Sequence, residues 1–283
     1  MESRYIDTND NQSMAMFSNA NLQIGDGWDL SDCDKVIFRH CVLDFSIRED
    51  DCFESVSTLI FESCKITCDV TIKDCQHVVL RDCIFGDEVF NYGDRFTIDS
   101  ADTVVLENCS FLGSCDIKNC RNVAIRSEKP EEGEYNVGAI SFHDVENLFL
   151  ESLYTESGLT IEDCESITLR NCTVEQSDED IFEVSSADTC KIENCYFRLV
   201  SDCYLKEIDN ICILCSKIEI PREFVTDYHI DIEESEKLSI ESSTIRGIFR
   251  LTQCEDVSLR NCTCHFMNSS EDSVWDSIEK LTV

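Results

Sequence analysis

Glycine and proline are scarce in this chain of 283 residues, at nine and two. Those counts are low for a fold built on sharp glycine turns or on Gly-rich phosphate loops. Basic residues are scarce too: 23 Lys and Arg stand against 58 Asp and Glu, a formal net charge of −35. Phosphate backbones repel such a surface, so direct nucleic-acid binding is not expected. No apolar run approaches the roughly 18 residues that cross a bilayer. The opening residues MESRYIDTNDNQSMAMFSN hold no basic stretch leading into an apolar one, so neither a membrane span nor a secretory signal is expected. Cysteine, by contrast, is abundant, with 20 residues. Disulfide frameworks suit small exported domains with thin cores. A chain of this length, 42% hydrophobic, has ample core of its own, so reduced thiols in an intracellular, cytoplasmic compartment are expected.

The chain repeats itself. DCDKVIFRHC (32–41) resembles DCQHVVLRDC (74–83), DCESITLRNC (163–172) and QCEDVSLRNC (253–262). Between them lie VSTLIFESC (56–64), ADTVVLENC (101–109) and ADTCKIENC (187–195). Taking the central apolar residue as anchor gives Val36, Leu59, Val78, Val104, Val123, Leu148, Ile167, Cys190, Ile211, Leu238 and Val257, spaced by 19 to 27 residues. Trp275, Ile278 and Leu281 continue the phase as a partial twelfth copy, and residues around Met14–Ile24 suit a degenerate opening one. The positions six before and two after the anchor are apolar in every copy, from Leu30 and Phe38 to Leu251 and Leu259. Apolar and polar residues alternate over short runs whose phase shifts, which marks strands meeting at corners. Each copy therefore reads as three short strands around one coil, and stacked coils place like on like about 4.8 Å apart. The expected fold is all-β: one parallel β-helix solenoid of about 12 coils over residues 28–283, with residues 1–27 as an N-terminal cap.

This unit resembles those of right-handed parallel β-helices, the pectate-lyase-like superfamily. The likeness is one of fold, and right-handedness comes from it alone. Enzymes of that superfamily cleave polysaccharides with clustered Asp and Lys or Arg, or with paired carboxylates, so the resemblance implies a carbohydrate-active lyase or hydrolase as one alternative. Another is a cytoskeletal regulator like the short β-helices of the tubulin-cofactor C and cyclase-associated protein group.

Several columns carry more than packing. Three residues after the anchor, the sign of charge alternates coil by coil: Arg39, Glu62, Arg81, Glu107, Arg126, Glu151, Arg170 and Glu193, with a break at Leu214 before Glu241 and Arg260. Paired opposite charges favour this register over a slip of one coil, so the true repeat is a pair of coils. The following column is rich in Asn, Asp and Ser, suited to turns. Two Cys columns, three before and five after the anchor, are expected to point inward at corners as small hydrophobes. One position after the anchor, Ile37, Ile60, Val79, Val105, Ala124 and Phe149 form an outward apolar stripe, giving way to Thr168 and polar residues beyond. Such a stripe suggests a covering chain. Acidic loops are expected at every second coil: Glu49 to Asp51, Asp87 and Glu88, Glu131 to Glu134, Asp178 to Asp180, and Glu271 with Asp272.

Catalytic chemistry is thin. The five His fall in unrelated columns, and His143 beside Asp144 is the nearest approach to a catalytic pair. Cys212 and Cys215 form the one C-x-x-C, both outward, and zinc would need two further ligands. No catalytic residue, metal or cofactor is therefore expected. The expectation is a non-enzymatic rigid scaffold that binds a protein partner, basic in character, or a second copy of itself, within a large assembly such as a virus particle.

Overall fold

The structure is a computed structural model. It describes residues 4–7, 13–23, 30, 33–45, 53–67, 69–86, 95–128, 138–176, 181–221, 223–224, 228–266, 275–276 and 280–282. All the acidic-loop residues named above lie outside these, as does Ile278. The described secondary structure is strand throughout, wound as about ten turns of parallel β-solenoid. The sequence count of about twelve includes the partial copy at the C-terminal end. Two compact units divide the chain, residues 1–139 and 140–283.

In the first unit, Met14–Ser18, Lys35–Arg39, Thr58–Glu62, Val70–Arg81, Arg95–Glu107 and Ser114–Arg126 stack in parallel. The anchors meet in register: Ala15 on Val36, Val36 on Leu59, Leu59 on Val78, Val78 on Val104 and Val104 on Val123. A second parallel sheet runs through Asn21–Gln23, Val42–Asp44, Lys65–Thr67, Ile84–Phe85 and Ser110–Phe111. Residues 13–23 thus form an opening coil of their own. Its outer edge is closed by Arg4–Asp7, which pairs antiparallel with Met14–Ser18. A parallel solenoid otherwise leaves that edge open to strand addition.

The second unit stacks Ile140–Glu151, Leu159–Arg170, Phe182–Glu193, Cys203–Leu214, His229–Glu241, the later part of Thr244–Arg260, and Lys280–Thr282. Its second sheet runs from Tyr154–Thr155 through Thr173–Glu175, Tyr196–Arg198, Lys217–Glu219 and Thr244–Arg246 to Thr263–Phe266. The coil after Leu238 spans 19 residues and has no break before the next one, Thr244–Arg260 being a single strand. One strand runs straight into the next, and Gly247, at φ 151°, makes that junction where a side chain would strain.

The interior is built of like residues on like. Phe17, Phe38 and Phe61 stack at ring centroids of 5.0 and 5.1 Å, and Phe85 stacks on Phe111 at 4.9 Å. Buried aromatic area of this kind dominates core energetics.

The corners explain the cysteines. Among the described residues, twenty-one other than glycine have positive φ, between 48° and 63°, and all stand four before or four after an anchor. They include Asp74, Asn119, Asp163 and Glu234 on one side, and Asn19, Asp82, Asn108 and Asn194 on the other. Asn, Asp and Ser tolerate this left-handed conformation best, because their short polar side chains bond locally. The first strands of each coil, expected as separate pieces, therefore join as one bent strand such as Val70–Arg81. Eleven cysteines directly follow such a corner residue, and in each the Sγ–H donates to the carbonyl two residues earlier: Cys41, Cys64, Cys75, Cys83, Cys109, Cys120, Cys164, Cys172, Cys195, Cys254 and Cys262. Ser216 and Ser243 replace cysteine in the same column and donate their hydroxyls in the same way, both at 2.8 Å. The corner needs a small inward side chain that also supplies one donor. That is more than the hydrophobic role expected from the sequence.

Candidate functional site

Seventeen cysteines are described as free thiols; thirteen are buried, and Cys215 is exposed. Cys52, Cys68 and the side chain of Cys264 lie outside the described residues. Burial pushes Cys75, Cys120 and Cys164 up to about 11, so these thiols stay protonated and keep the S–H that the corner uses. Cys64 and Cys172 are raised further, first by hydrogen bonds with Cys83 and Cys195 stacked beside them, then by desolvation.

The alternating column faces solvent as two-sided ion pairs. Arg81 lies between Glu62 and Glu107, with Nη1 3.8 Å from the first and Nε 2.6 Å from the second. Arg39 Nε meets Glu62 at 2.5 Å, and Arg126 stacks in register on Glu107. In the second unit Arg170 sits between Glu151, at 3.9 Å, and Glu193, at 3.5 Å. At the break, Leu214 stacks between Glu193 and Glu241. A second alternating column, five before the anchor, runs through Glu54, Lys73, Asp99 and Lys118. Its sign matches the first column coil by coil, so these two outward columns alternate together through the first unit.

Of the apolar stripe, Ile37 is buried at 4% exposure, and Met16 stacks beside it. The accessible part in the first unit therefore runs from Ile60 through Val79 and Val105 to Ala124, all half-buried. In the second unit the Arg170 guanidinium lies 5.6 Å from the centre of the Phe149 ring.

One column breaks the rule of alternation. Two before the anchor in the second unit stand Glu146, Glu165, Asp188, Asp209, Glu236 and Glu255, all exposed. Register pairs on either side of them fix each above the next. The corner column beside them adds Asp144, Asp163, Glu207 and Glu234. Six consecutive coils thus carry ten carboxylates along one ridge, and no basic residue interrupts the column of six. Stacked like charges are unfavourable, so this ridge is an electrostatic load on the fold.

His143 turns away from the pairing suggested by its neighbour Asp144. Its Nδ1 is 3.0 Å from Glu162 on the next coil. His229, in contrast, sits in a group of titratable side chains. Asp202 Oδ1 accepts from the His229 backbone N–H at 2.7 Å and lies 3.4 Å from His229 Nδ1. Tyr204 O–H donates to Asp202 Oδ2 at 2.9 Å; burial and that carboxylate hold the phenol up at about 12. Arg250 Nη2 stands 2.9 Å from His229 Nε2, and its Nη1 4.0 Å from Asp231 Oδ2. Asp231 is buried, its Oδ1 has no hydrogen-bond partner, and desolvation raises its carboxyl above the usual range against the pull of Arg250. Column reading misses this group because Asp202 and His229 stand at coil entries, where the repeat lengths vary. Cys212 is half-buried and Cys215 exposed at a corner; among the described residues no group of three His, Cys, Asp or Glu is placed to hold a metal ion. No described helix is long and apolar enough to cross a membrane.

Comparisons with known proteins agree with the geometry. No curated protein and no solved structure matches the chain. Residues 141–275 match the family described as right handed beta helix region, and the fold is a right-handed parallel β-helix.

Proposed function

We propose that this protein is a non-catalytic rigid scaffold that docks a basic protein partner along the acidic ridge of its second unit. The single-signed column from Glu146 to Glu255 carries the reading. The two alternating columns described above pair opposite signs, whereas this one keeps like charges about 4.8 Å apart over six coils. A partner bearing Lys or Arg at matching intervals relieves that repulsion on binding. The β-helix suits the task because its ladders hold the carboxylates at fixed spacing without cost on binding. The stripe Ile60, Val79, Val105 and Ala124 serves as a second, apolar contact for a partner chain or another copy. Free thiols at seventeen described cysteines support a reducing, intracellular setting.

The test neutralises the ridge: Glu165→Gln, Asp188→Asn, Asp209→Asn and Glu236→Gln in one variant, compared with wild type in pull-downs from the native source. The expected result is a basic partner retained by wild type, lost in the variant, and released from wild type as salt rises. If a folded variant retains the same proteins at the same salt, the ridge is not the contact.

A further inference from the structure

We propose that Arg250 is the moving part of a proton-operated switch on the second unit, bound to His229 when that imidazole is neutral and to Asp231 when it is charged. The first half follows from donor chemistry. Arginine has only donors. With Arg250 Nη2 2.9 Å from His229 Nε2, that nitrogen must accept and can carry no proton. The imidazole proton therefore sits on Nδ1, which faces Asp202 Oδ1 at 3.4 Å. A second proton, taken from solvent onto Nε2, removes the acceptor and sets two cations against each other. The imidazolium keeps its place through Asp202, whose carboxylate is further fixed by the His229 backbone N–H and by Tyr204. Arg250 is the partner that must leave.

The second half follows from what lies within its reach. Asp231 Oδ2 is already 4.0 Å from Nη1, and Asp231 Oδ1 is buried without a partner. A guanidinium released from His229 closes on both oxygens as a two-pronged pair, the geometry arginine and carboxylate favour. Burial that disfavours the Asp231 anion makes it the group that gains most from this closure. The groups facing Asp231 among the described residues are Arg250 on the following coil, His229 and Glu233 on its own strand, and Asp202 with Cys203 on the preceding coil. Tyr204, on the outer face of that coil, is engaged with Asp202. Arg250 is the one permanent cation among them. Each state satisfies a different group: neutral imidazole leaves Asp231 Oδ1 bare, and charged imidazole fills it.

The test follows the Asp231 carboxyl carbon and the Arg250 guanidinium nitrogens by NMR in selectively labelled protein from pH 8 to pH 5, alongside the His229 ring. The expected result is one common midpoint for all three. In His229→Gln, which cannot charge, the step at the Arg250 nitrogens disappears; in Asp231→Asn, the His229 step persists. An Arg250 signal that stays flat across the His229 step, or an Arg250 step that survives in His229→Gln, overturns the switch. Crystals of the wild-type protein grown at pH 8 and pH 5.5 decide the matter without any variant. Arg250 must leave His229 and reach Asp231 Oδ1 in the acid form, and an Arg250–His229 contact unchanged at the lower pH refutes the exchange.

Discussion

Reversing Arg81 to Glu tests whether the alternating ladder helps to specify the register of the coils. Arg81 is paired on both sides, to Glu62 at 3.8 Å and Glu107 at 2.6 Å. All three side chains are partly exposed, at 46%, 28% and 32%, so solvent screening reduces each contact to about 0.2–1 kcal/mol. The substitution removes two such contacts and creates two repulsive ones of similar size. The sum is a loss of about 1–3 kcal/mol, which lowers the melting temperature by roughly 3–10 °C for a chain of this length. Arg81→Gln, which removes attraction without adding repulsion, should lose about half as much. The triple variant Arg81→Glu, Glu62→Arg, Glu107→Arg moves the repulsion outward by one coil, to Arg39 above and Arg126 below, and so should not recover fully. Melts at low salt and at about 1 M salt, where charges are screened within a few ångström, separate this effect from packing. Equal stability of Arg81→Glu and Arg81→Gln at low salt would refute the reasoning.

Three further outcomes are expected. Cys83→Ser should cost less than Cys83→Val in thermal melts, because the hydroxyl can donate to the Arg81 carbonyl as Ser216 and Ser243 do in their coils; the reverse order would mean that the corner wants only apolar volume. Alkylation of the native protein, read by mass spectrometry, should reach Cys215 before any of the thirteen buried thiols, whereas thiol counting after denaturation under non-reducing conditions should recover most of the 20. Asp231→Asn should stabilise the protein near neutral pH. The folded-state carboxyl is raised above its unfolded value, so its contribution is most favourable below the unfolded value and is lost as pH rises through the folded one. The advantage of Asn must therefore shrink on acidification, and a pH-independent difference between the two melts would discount desolvation as its cause.

The solenoid was legible because its constraint is a vertical one. Each inward residue meets its own counterpart in the next coil, so Leu59 on Val78 and Ile161 on Val184 are recorded in the sequence as columns. The ladder of Arg and Glu was legible for the same reason. The acidic ridge stands in the same alignment, two before the anchor, yet its meaning depends on exposure: only the structure shows those six side chains facing water in register. The corner role of cysteine was half legible. Its columns appear in the sequence, but the donated S–H depends on the left-handed residue before it, a backbone state that Asp, Ser and Asn permit without announcing. The group around Asp231 was not legible. It joins Asp202, His229 and Arg250 from three coils at entry points where loop lengths vary, and its chemistry lies in distances that no column records.

The two kinds of charged column bear on function in opposite ways. An alternating column is explained by the fold: each Arg between two Glu favours the native stacking over its neighbours, and nothing outside the molecule is needed to account for it. The ridge has no such internal account. Two unit charges about 5 Å apart repel by roughly 0.8 kcal/mol even in water. Salt weakens this without abolishing it, because the spacing is shorter than the roughly 8 Å screening length of physiological solution. A single Lys or Arg in the column would remove two such contacts, and the chain places bases at will elsewhere, as at Lys118, Arg121 and Lys206. Asp102 and Arg121, which occupy the equivalent column in the first unit, do pair, at 3.0 Å. The second unit therefore forgoes a stabilisation that the first uses in the same geometry. On the proposed function, a basic partner relieves the load on the ridge, and the rigidity of the coils means that it meets the carboxylates already spaced for it.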